Sequence, residues 1–206
     1  MVAISDDRWT CPYCDRTFTA EGSSSGQRLL SVGAITPVKG HDVLVAALAS
    51  LADLGWSWTL VGASVDPAHA SSLWSTLHGA GLDDRVTLAG ALTGPALSAA
   101  YAAADLVVLP SRHETYGMVA TEALARGVPV LASDVGGVRE ALGTPLPGLL
   151  VPAEDPEALA AALRSWLTDR RLRSRLQVRA AERRTTLTGW DRTATELSAV
   201  LEAVGR

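Results

Sequence analysis

The stretch DLVVLPSRHETYGMVATEALARGVPVLAS, residues 105–133, decides the fold. It opens with a continuously apolar run that ends at Pro110, passes through a polar loop, and takes on helical periodicity over residues 115–125. Gly127 marks the end of that helix, and a second apolar run follows at once. Short strands that are apolar throughout are typical of a parallel sheet covered on both faces. This stretch therefore predicts a strand–helix–strand unit of such a sheet.

The same alternation continues on both sides of this stretch. Apolar runs predict further strands at residues 28–35, 56–63, 85–90 and 148–152. Helical periodicity lies between them, at residues 43–51, 67–80, 95–104 and 138–142. Strands that alternate with helices indicate an α/β fold with a doubly wound, Rossmann-like parallel sheet.

Three arginine-rich helical segments are predicted after the last strand. The first begins at Asp155, a favourable N-cap, with Pro156 at the first helical position. The second covers residues 169–184, and the third follows Gly189. We divide the chain into an N-terminal extension or linker remnant at 1–27, a Rossmann-like domain at 28–187 and a C-terminal helix at 188–206.

The N-terminal extension contains both cysteines of the chain. Cys11 and Cys14 form a Cys-x-x-Cys pair, which is half of a zinc site, but the next histidine is His41, beyond the usual spacing. The pair is either a metal site shared with another chain or an adventitious pair in a reducing cytoplasm.

The charge balance excludes several classes of function. A formal net charge of −4 argues against nucleic-acid binding, which calls for a strongly basic face. No apolar run approaches the roughly 20 residues of a transmembrane helix, and the N-terminus does not resemble a secretory signal. We therefore expect a cytoplasmic protein. Lys39 is the one lysine of this chain, whose other basic residues are all arginine.

Two carboxylates flank the turn between the fourth predicted strand and its helix. Ligands of open parallel sheets bind at the carboxyl ends of the strands, so a site is expected here. Glu114 lies in the loop and Glu122 on the helix, and the six residues of helix from Tyr116 to Glu122 cover about 9 Å. This separation resembles that between the sugar and the ribose of a nucleoside diphosphate sugar. The N–H groups around Tyr116, Gly117 and Met118 would form an anion site between the two carboxylates.

The motifs around this pair resemble those of the retaining glycosyltransferases of family 4, which have the GT-B fold. Two glutamates separated by seven residues are the family signature, and they occur here as Glu114 and Glu122. Other family motifs follow in order: SVGAITPVKGH at 31–41, LVG at 60–62, AADLVVLPS at 103–111, DVGGVRE at 134–140 and GLLVP at 148–152. The resemblance covers about residues 28–201. It implies that the chain is the C-terminal, donor-binding half of such an enzyme.

The resemblance also implies roles for individual residues. Lys39 would neutralise the diphosphate of a UDP- or GDP-linked sugar, and Glu114 would bind a hydroxyl of that sugar; these two are the expected catalytic residues. Glu122 would hold the ribose hydroxyls. Ala34 stands where the family usually has an arginine. A cation at this position can do the work of a metal, so we expect no metal or other cofactor. Further donor contacts are expected from Tyr116, Gly117, Met118, Val119, Gly33, Gly62, Leu92, Gly136 and Gly137.

Other interpretations of these residues stay open. Glu122 and Lys39 could be ordinary surface side chains, Gly136 and Gly137 a simple strand-to-helix turn, and His113 a solvent-facing loop histidine. The arginines at 170–184 could be a solvated helix face. They could also contact a partner domain or the anionic inner face of the membrane.

The acceptor-binding half of the family has no counterpart in residues 1–27. We therefore expect a chain that binds a nucleotide sugar but transfers nothing without an acceptor-binding domain or subunit. It would be an excised piece, a truncated product or one subunit of a split enzyme. Two alternatives are a catalytically silent binding or assembly module and another GT-B enzyme such as a sugar-nucleotide epimerase.

Overall fold

The structure, a computed structural model, describes residues 22–187 and Ser198. Within these residues, six parallel strands form one sheet in the order β3-β2-β1-β4-β5-β6. The strands are β1 (Arg28–Val32), β2 (Ser57–Val61), β3 (Val86–Gly90), β4 (Leu106–Leu109), β5 (Val130–Ser133) and β6 (Gly148–Val151). The helices are α1 (His41–Ala49), α2 (Pro67–Gly79), α3 (Gly94–Ala103), α4 (Met118–Leu124), α5 (Val138–Leu142), α6 (Pro156–Thr168) and α7 (Arg170–Thr186). The predicted doubly wound α/β fold is confirmed.

Helices cover both faces of the sheet, and alternate side chains of a central strand pack against opposite helical layers. In β4, Leu106 and Val108 pack into a cluster with residues of α1, α2 and α6. Val107 and Leu109 pack into a second cluster with residues of α3, α4 and α5. All four side chains are nearly inaccessible to water. Burial on both faces explains why this strand is apolar throughout rather than alternating.

The helix boundaries follow the capping residues. Asp155 accepts a hydrogen bond from the Ala158 N–H at 2.8 Å, and Pro156 is the first residue of α6, as predicted. Periodicity predicts the helix after β4 over residues 115–125, but α4 begins only at Met118. The reason is Gly117, whose φ of 90° lies in the left-handed region and cannot be part of an α-helix. Glu114 is therefore separated from Glu122 by a loop as well as a helix.

The described residues before β1 pack against the domain. The Ser23 N–H and hydroxyl both donate to the buried carboxylate of Asp105. The Gly26 carbonyl accepts a 2.7 Å hydrogen bond from the indole of Trp166 on α6. Cys11 and Cys14 lie outside the described residues, as does the helix predicted at 188–206 apart from Ser198, which is helical.

His41, the first residue of α1, is a buried ionisable group. The residue is 2% exposed, its ring lies 6.3 Å from the ring of Trp58, and its Nδ1 has no hydrogen-bond partner among the described residues. Burial is the main reason why the pKa of His41 falls from 6.5 to about 4, and the nearby His69 lowers it further. Asp42 opposes this shift, and Lys39 adds to it. His41 is therefore neutral in the folded protein at physiological pH.

This burial makes the stability of the domain depend on pH. Between pH 6.5 and pH 4 the unfolded chain binds a proton at His41 and the folded chain does not, so acid favours unfolding. We expect the unfolding free energy to lose about 2 kcal/mol by pH 5 from this residue alone. Denaturant unfolding at several pH values measures the loss. His41→Phe keeps a ring without a titratable group and should flatten the slope; equal slopes in both proteins would contradict the assignment.

Candidate functional site

The candidate site lies where β1 and β4 stand side by side in the sheet. The strand order places β2 and β3 on one side of this pair and β5 and β6 on the other. The connections leave β1 and β4 in opposite directions, and a crevice opens at their carboxyl ends. Lys39 follows β1 in the 3-10 turn Pro37–Lys39, and Glu114 follows β4. The topology thus brings the two predicted catalytic residues to the same crevice.

Lys39 and Glu114 form an ion pair across this crevice. Lys39 Nζ lies 2.6 Å from Glu114 Oε1, although the two residues are 75 positions apart in the chain. The hydroxyl of Ser111 donates to the same carboxylate oxygen at 2.9 Å. The side chains are 27% and 13% exposed, so both retain access to a ligand. Charge-assisted hydrogen bonds of this kind fix a short, directional contact.

The turn that bears Lys39 is held against the end of β4. Gly40 closes the turn with a φ of 63°, and its N–H donates to the Pro37 carbonyl. A Cβ atom on Gly40 would lie 2.0 Å from the Pro110 carbonyl oxygen, which leaves room for glycine alone. The stem of Lys39 passes over Gly33, within 3.5 Å of where a Cβ would be. These close approaches aim the ammonium group at the β4 loop.

Gly136 and Gly137 support the loop that carries Glu114. Gly136 has a φ of 52°, and a Cβ atom there would lie 1.6 Å from the Glu114 carbonyl oxygen. The Gly137 N–H donates to the Thr115 carbonyl at 3.1 Å. The backbone after β5 is therefore in direct contact with the carbonyl groups of Glu114 and Thr115. The sequence predicts donor contacts for both glycines, and in this structure they contact the Glu114 loop.

Glu122, on α4, is held by a buried tyrosine. The hydroxyl of Tyr101 on α3 donates to Glu122 Oε2 at 2.8 Å. Arg126 donates to the Glu122 carbonyl at 2.8 Å and places its guanidinium 4.5 Å from the centre of the Tyr101 ring. Burial and the adjacent Glu122 carboxylate raise the pKa of Tyr101, which therefore stays a hydrogen-bond donor. The Tyr101 hydrogen bond therefore orients one oxygen of the Glu122 carboxylate.

The other predicted donor contacts differ in accessibility. Tyr116 and Met118 are exposed, at 40% and 43%, and Val119 is half-buried at the start of α4. Gly117 is buried under Val138. A Cβ atom on Gly62 would lie 1.8 Å from the Gly33 carbonyl, so the ends of β1 and β2 touch through glycine backbone. Leu92 packs half-buried against the α3–α5 side of the core.

Three residues at this site were missed by sequence reasoning: Tyr101, Ser111 and Arg112. Tyr101 and Ser111 hydrogen-bond to the two glutamates, and Arg112 pairs with Asp42 and Glu154. Ser111 lies within the motif at 103–111 and just after a strand, which is a usable signal. Tyr101 and Arg112 find partners 21 to 75 positions away, so no local pattern indicates them. His113 is exposed, in line with its solvent-facing interpretation.

Within residues 22–187 and Ser198, no cluster of three or more histidine, cysteine or acidic side chains could hold a metal ion. Over the same residues, no helix combines the length and the apolar character needed to cross a bilayer.

The sequence is similar to those of known proteins. A family profile described as "Glycosyl transferases group 1" matches residues 18–183. Curated D-inositol 3-phosphate glycosyltransferases from Jonesia denitrificans and Salinispora tropica are 39% and 40% identical, over 86% and 81% of this chain. The chain spans 43% and 36% of the length of those two proteins. Less than half of each relative is therefore represented.

Solved structures share the fold. Sucrose-phosphate synthase from Thermosynechococcus elongatus has a TM-score of 0.78 and 34% identity, covering 88% of this chain and 46% of its own. Anabaena Alr3699/HepE in complex with UDP-glucose has a TM-score of 0.78 and 22% identity, with 87% and 50% covered. The C-terminal domain of a glycosyl transferase group 1 protein from Francisella tularensis has a TM-score of 0.70 and 24% identity, with 78% and 85% covered. At these identities, the last two show the fold alone.

Proposed function

Because this chain belongs to the glycosyl transferases group 1 family, we propose that it is the donor-binding half of a retaining GT-B glycosyltransferase. It binds a nucleoside diphosphate sugar, and the hexosyl group passes to an acceptor held by a separate domain or subunit. The observation that carries the proposal is the Lys39–Glu114 pair at the junction of β1 and β4. It places a cation and an anion, each partly accessible, in the crevice where parallel sheets bind nucleotides.

Lys39 serves the diphosphate in this proposal. Transfer breaks the bond between the anomeric carbon and a phosphate oxygen, and negative charge accumulates on the departing diphosphate. A fixed ammonium group stabilises that charge more strongly in the transition state than in the ground state. The packing of Gly40 against Pro110 holds the turn of Lys39 in place before the donor arrives. The negative charge of the diphosphate is then stabilised by a side chain, and we propose no metal ion at this site.

Glu114 and Glu122 serve the two ends of the donor. A carboxylate accepts hydrogen bonds from hydroxyl groups, which both the sugar and the ribose present. Glu114 receives a sugar hydroxyl beside Lys39, and Glu122, held by Tyr101, receives the ribose hydroxyls. In this arrangement the carboxylates position the donor. They do not act as the acid and base pair of a glycosidase.

We also propose a nucleotide base, a source of the acceptor site and a cellular location. Uridine is the first choice for a test, because the solved Anabaena neighbour is a complex with UDP-glucose. The acceptor site is supplied from outside this chain, which on its own transfers nothing. We further propose a cytoplasmic protein whose arginine-rich α7, exposed at Arg170, Arg171 and Arg175, faces the acceptor domain or an anionic membrane surface.

Calorimetric titration of the 206-residue chain tests the proposal. UDP and UDP-glucose in the presence of EDTA are expected to bind saturably, and GDP serves as the comparison for base selectivity. Binding that requires added magnesium would contradict the metal-free part of the proposal. If none of these nucleotides binds, the donor function is wrong and the silent assembly module is the better description. Transfer of sugar by this chain alone would show that the acceptor site is not supplied from outside.

Tyr101 offers a more specific test of the role of Glu122. Tyr101→Phe removes one hydrogen bond to that carboxylate and keeps the buried ring. Glu122 must then be ordered when the ligand binds, which costs about 0.5–1.5 kcal/mol, so we expect UDP affinity to fall by roughly two- to tenfold. The preference for UDP over 2′-deoxy-UDP should shrink at the same time. An unchanged preference would show that Tyr101 does not position Glu122 for the ribose hydroxyls.

A further inference from the structure

Arg112 joins three loops at the edge of the candidate site. Its guanidinium group makes a bidentate contact with the Asp42 carboxylate, at 2.9 Å and 2.7 Å. Nε donates to Glu154 at 2.9 Å, and a terminal nitrogen also donates to the Pro37 carbonyl. The backbone N–H of Arg112 donates to the Val38 carbonyl at 2.8 Å. One residue thus forms hydrogen bonds with four others through both its side chain and its backbone.

These contacts connect the two sides of the crevice. Pro37 and Val38 belong to the turn that ends at Lys39, and Asp42 lies in the first turn of α1, three residues later. Arg112 itself stands two residues before Glu114 in the loop after β4. Besides the ion pair between Lys39 and Glu114, a second set of hydrogen bonds therefore joins the same two loops.

The third loop adds a further anchor. Glu154 lies between β6 and α6 and has a φ of 56°, the one positive value for a residue other than glycine among the described residues. A left-handed conformation costs a non-glycine residue about 1 kcal/mol, so surrounding contacts must hold it. Its 2.9 Å bond to Arg112 is such a contact. The Arg112 side chain lies between the carboxylates of Asp42 and Glu154 and is 28% exposed. Its hydrogen bonds lower the pKa of Asp42.

We propose that Arg112 is a positioning residue of the donor site, which holds the Lys39 turn against the Glu114 loop and so sets the distance between ammonium and carboxylate. Its planar fork bonds Asp42 through two nitrogens and Glu154 through the third, which a lysine cannot reproduce. The consequence for donor binding rests on the proposed function, but the effect on the Lys39–Glu114 pair does not.

The single lysine of the chain allows a test without any ligand. Protein labelled with ¹³C and ¹⁵N only in lysine gives a single side-chain Nζ signal, from Lys39. Glu114→Gln removes the ionic partner and defines the signal of an unpaired Lys39. We expect Arg112→Ala and Arg112→Lys to move the signal most of the way towards that reference. Asp42→Asn is a second route to the same result, should the Arg112 variants lose their fold, as circular dichroism would show.

Arg164 supplies the matched control. It makes a similar forked contact with Asp53, at 3.1 Å and 3.2 Å, between α6 and the segment after α1. Arg164→Ala removes an arginine–aspartate pair of the same kind and should leave the Lys39 signal unchanged. A wild-type signal in folded Arg112→Ala, with a shifted one in Glu114→Gln, would overturn the proposal. An equal shift in Arg164→Ala would also overturn it, since the effect would then be general.

A double-mutant cycle carries the test to the donor. Lys39→Ala should weaken UDP-glucose binding strongly in the wild-type background but less than about threefold in Arg112→Ala, because Lys39 is then no longer placed to bind. A full loss in both backgrounds would show that Arg112 does not position Lys39 for the donor. If the wild-type chain binds no nucleotide, the proposed function fails, while the lysine signal still decides the role of Arg112.

Discussion

Lys39→Ala is expected to weaken UDP-glucose binding by on the order of 100-fold, because in the proposed function it removes the cation that faces the diphosphate. Truncating one member of a partly buried, hydrogen-bonded charge pair costs about 2–5 kcal/mol. Here the loss has two components: the diphosphate loses its counter-charge, and Glu114 loses the partner that Nζ provides at 2.6 Å. Ala34, where the family pattern has an arginine, leaves Lys39 with more of the charge compensation.

The measurement is calorimetry on the folded variant at two salt concentrations. Salt screens exposed charges more than partly buried ones, so the wild-type advantage should persist at about 0.5 M salt. Arg164→Ala removes one positive charge far from the crevice and should bind as the wild-type chain does. Lys39→Arg should retain part of the affinity because it keeps the charge but not the length of the side chain. Equal affinity of Lys39→Ala and the wild-type chain for UDP-glucose would show that Lys39 does not contribute to donor binding.

Gly136→Ala is expected to destabilise the domain by about 2–5 kcal/mol and to abolish nucleotide binding. Two effects add together here. The left-handed φ of 52° is unfavourable for alanine by about 1–2 kcal/mol, and a methyl group 1.6 Å from the Glu114 carbonyl oxygen forces backbone apart at about 1–3 kcal/mol. The atom that must move belongs to the residue that binds the sugar in the proposed function. Stability and binding should therefore be lost together.

Gly81→Ala separates the two effects. Gly81 has a similar φ of 66° and follows α2 away from the crevice, and a methyl group added there would meet no neighbouring atom within 4 Å. The substitution should cost only the conformational part, about 1–2 kcal/mol, and leave binding intact. Chemical denaturation and nucleotide titration of both variants provide the comparison. Similar losses for the two glycines would mean that the contact with Glu114 is unimportant.

Much of the fold could be predicted from local patterns. Apolar runs such as 105–110 become buried strands because both faces of a parallel sheet are covered. Asp155 with Pro156 starts a helix through contacts with the next few residues alone, so tertiary structure is not needed to predict it. The start of α4 was predicted wrongly because Gly117 can adopt either helical or left-handed conformations. Its φ of 90° reflects packing under Val138, which helical periodicity does not reveal.

The sequence by itself determined the family and the α/β architecture, and it predicted that Glu114 and Glu122 bind the donor, since each conclusion rests on residues close together in the chain. Only the tertiary structure decided how these residues are held. The contacts of Lys39 with Glu114, Tyr101 with Glu122, and Arg112 with Asp42 join elements 21 to 75 positions apart. The strand order makes the contacts of Lys39 and Arg112 possible, because β1 and β4 become neighbours only when the sheet assembles. Periodicity describes the elements, whereas the site depends on which strand ends meet.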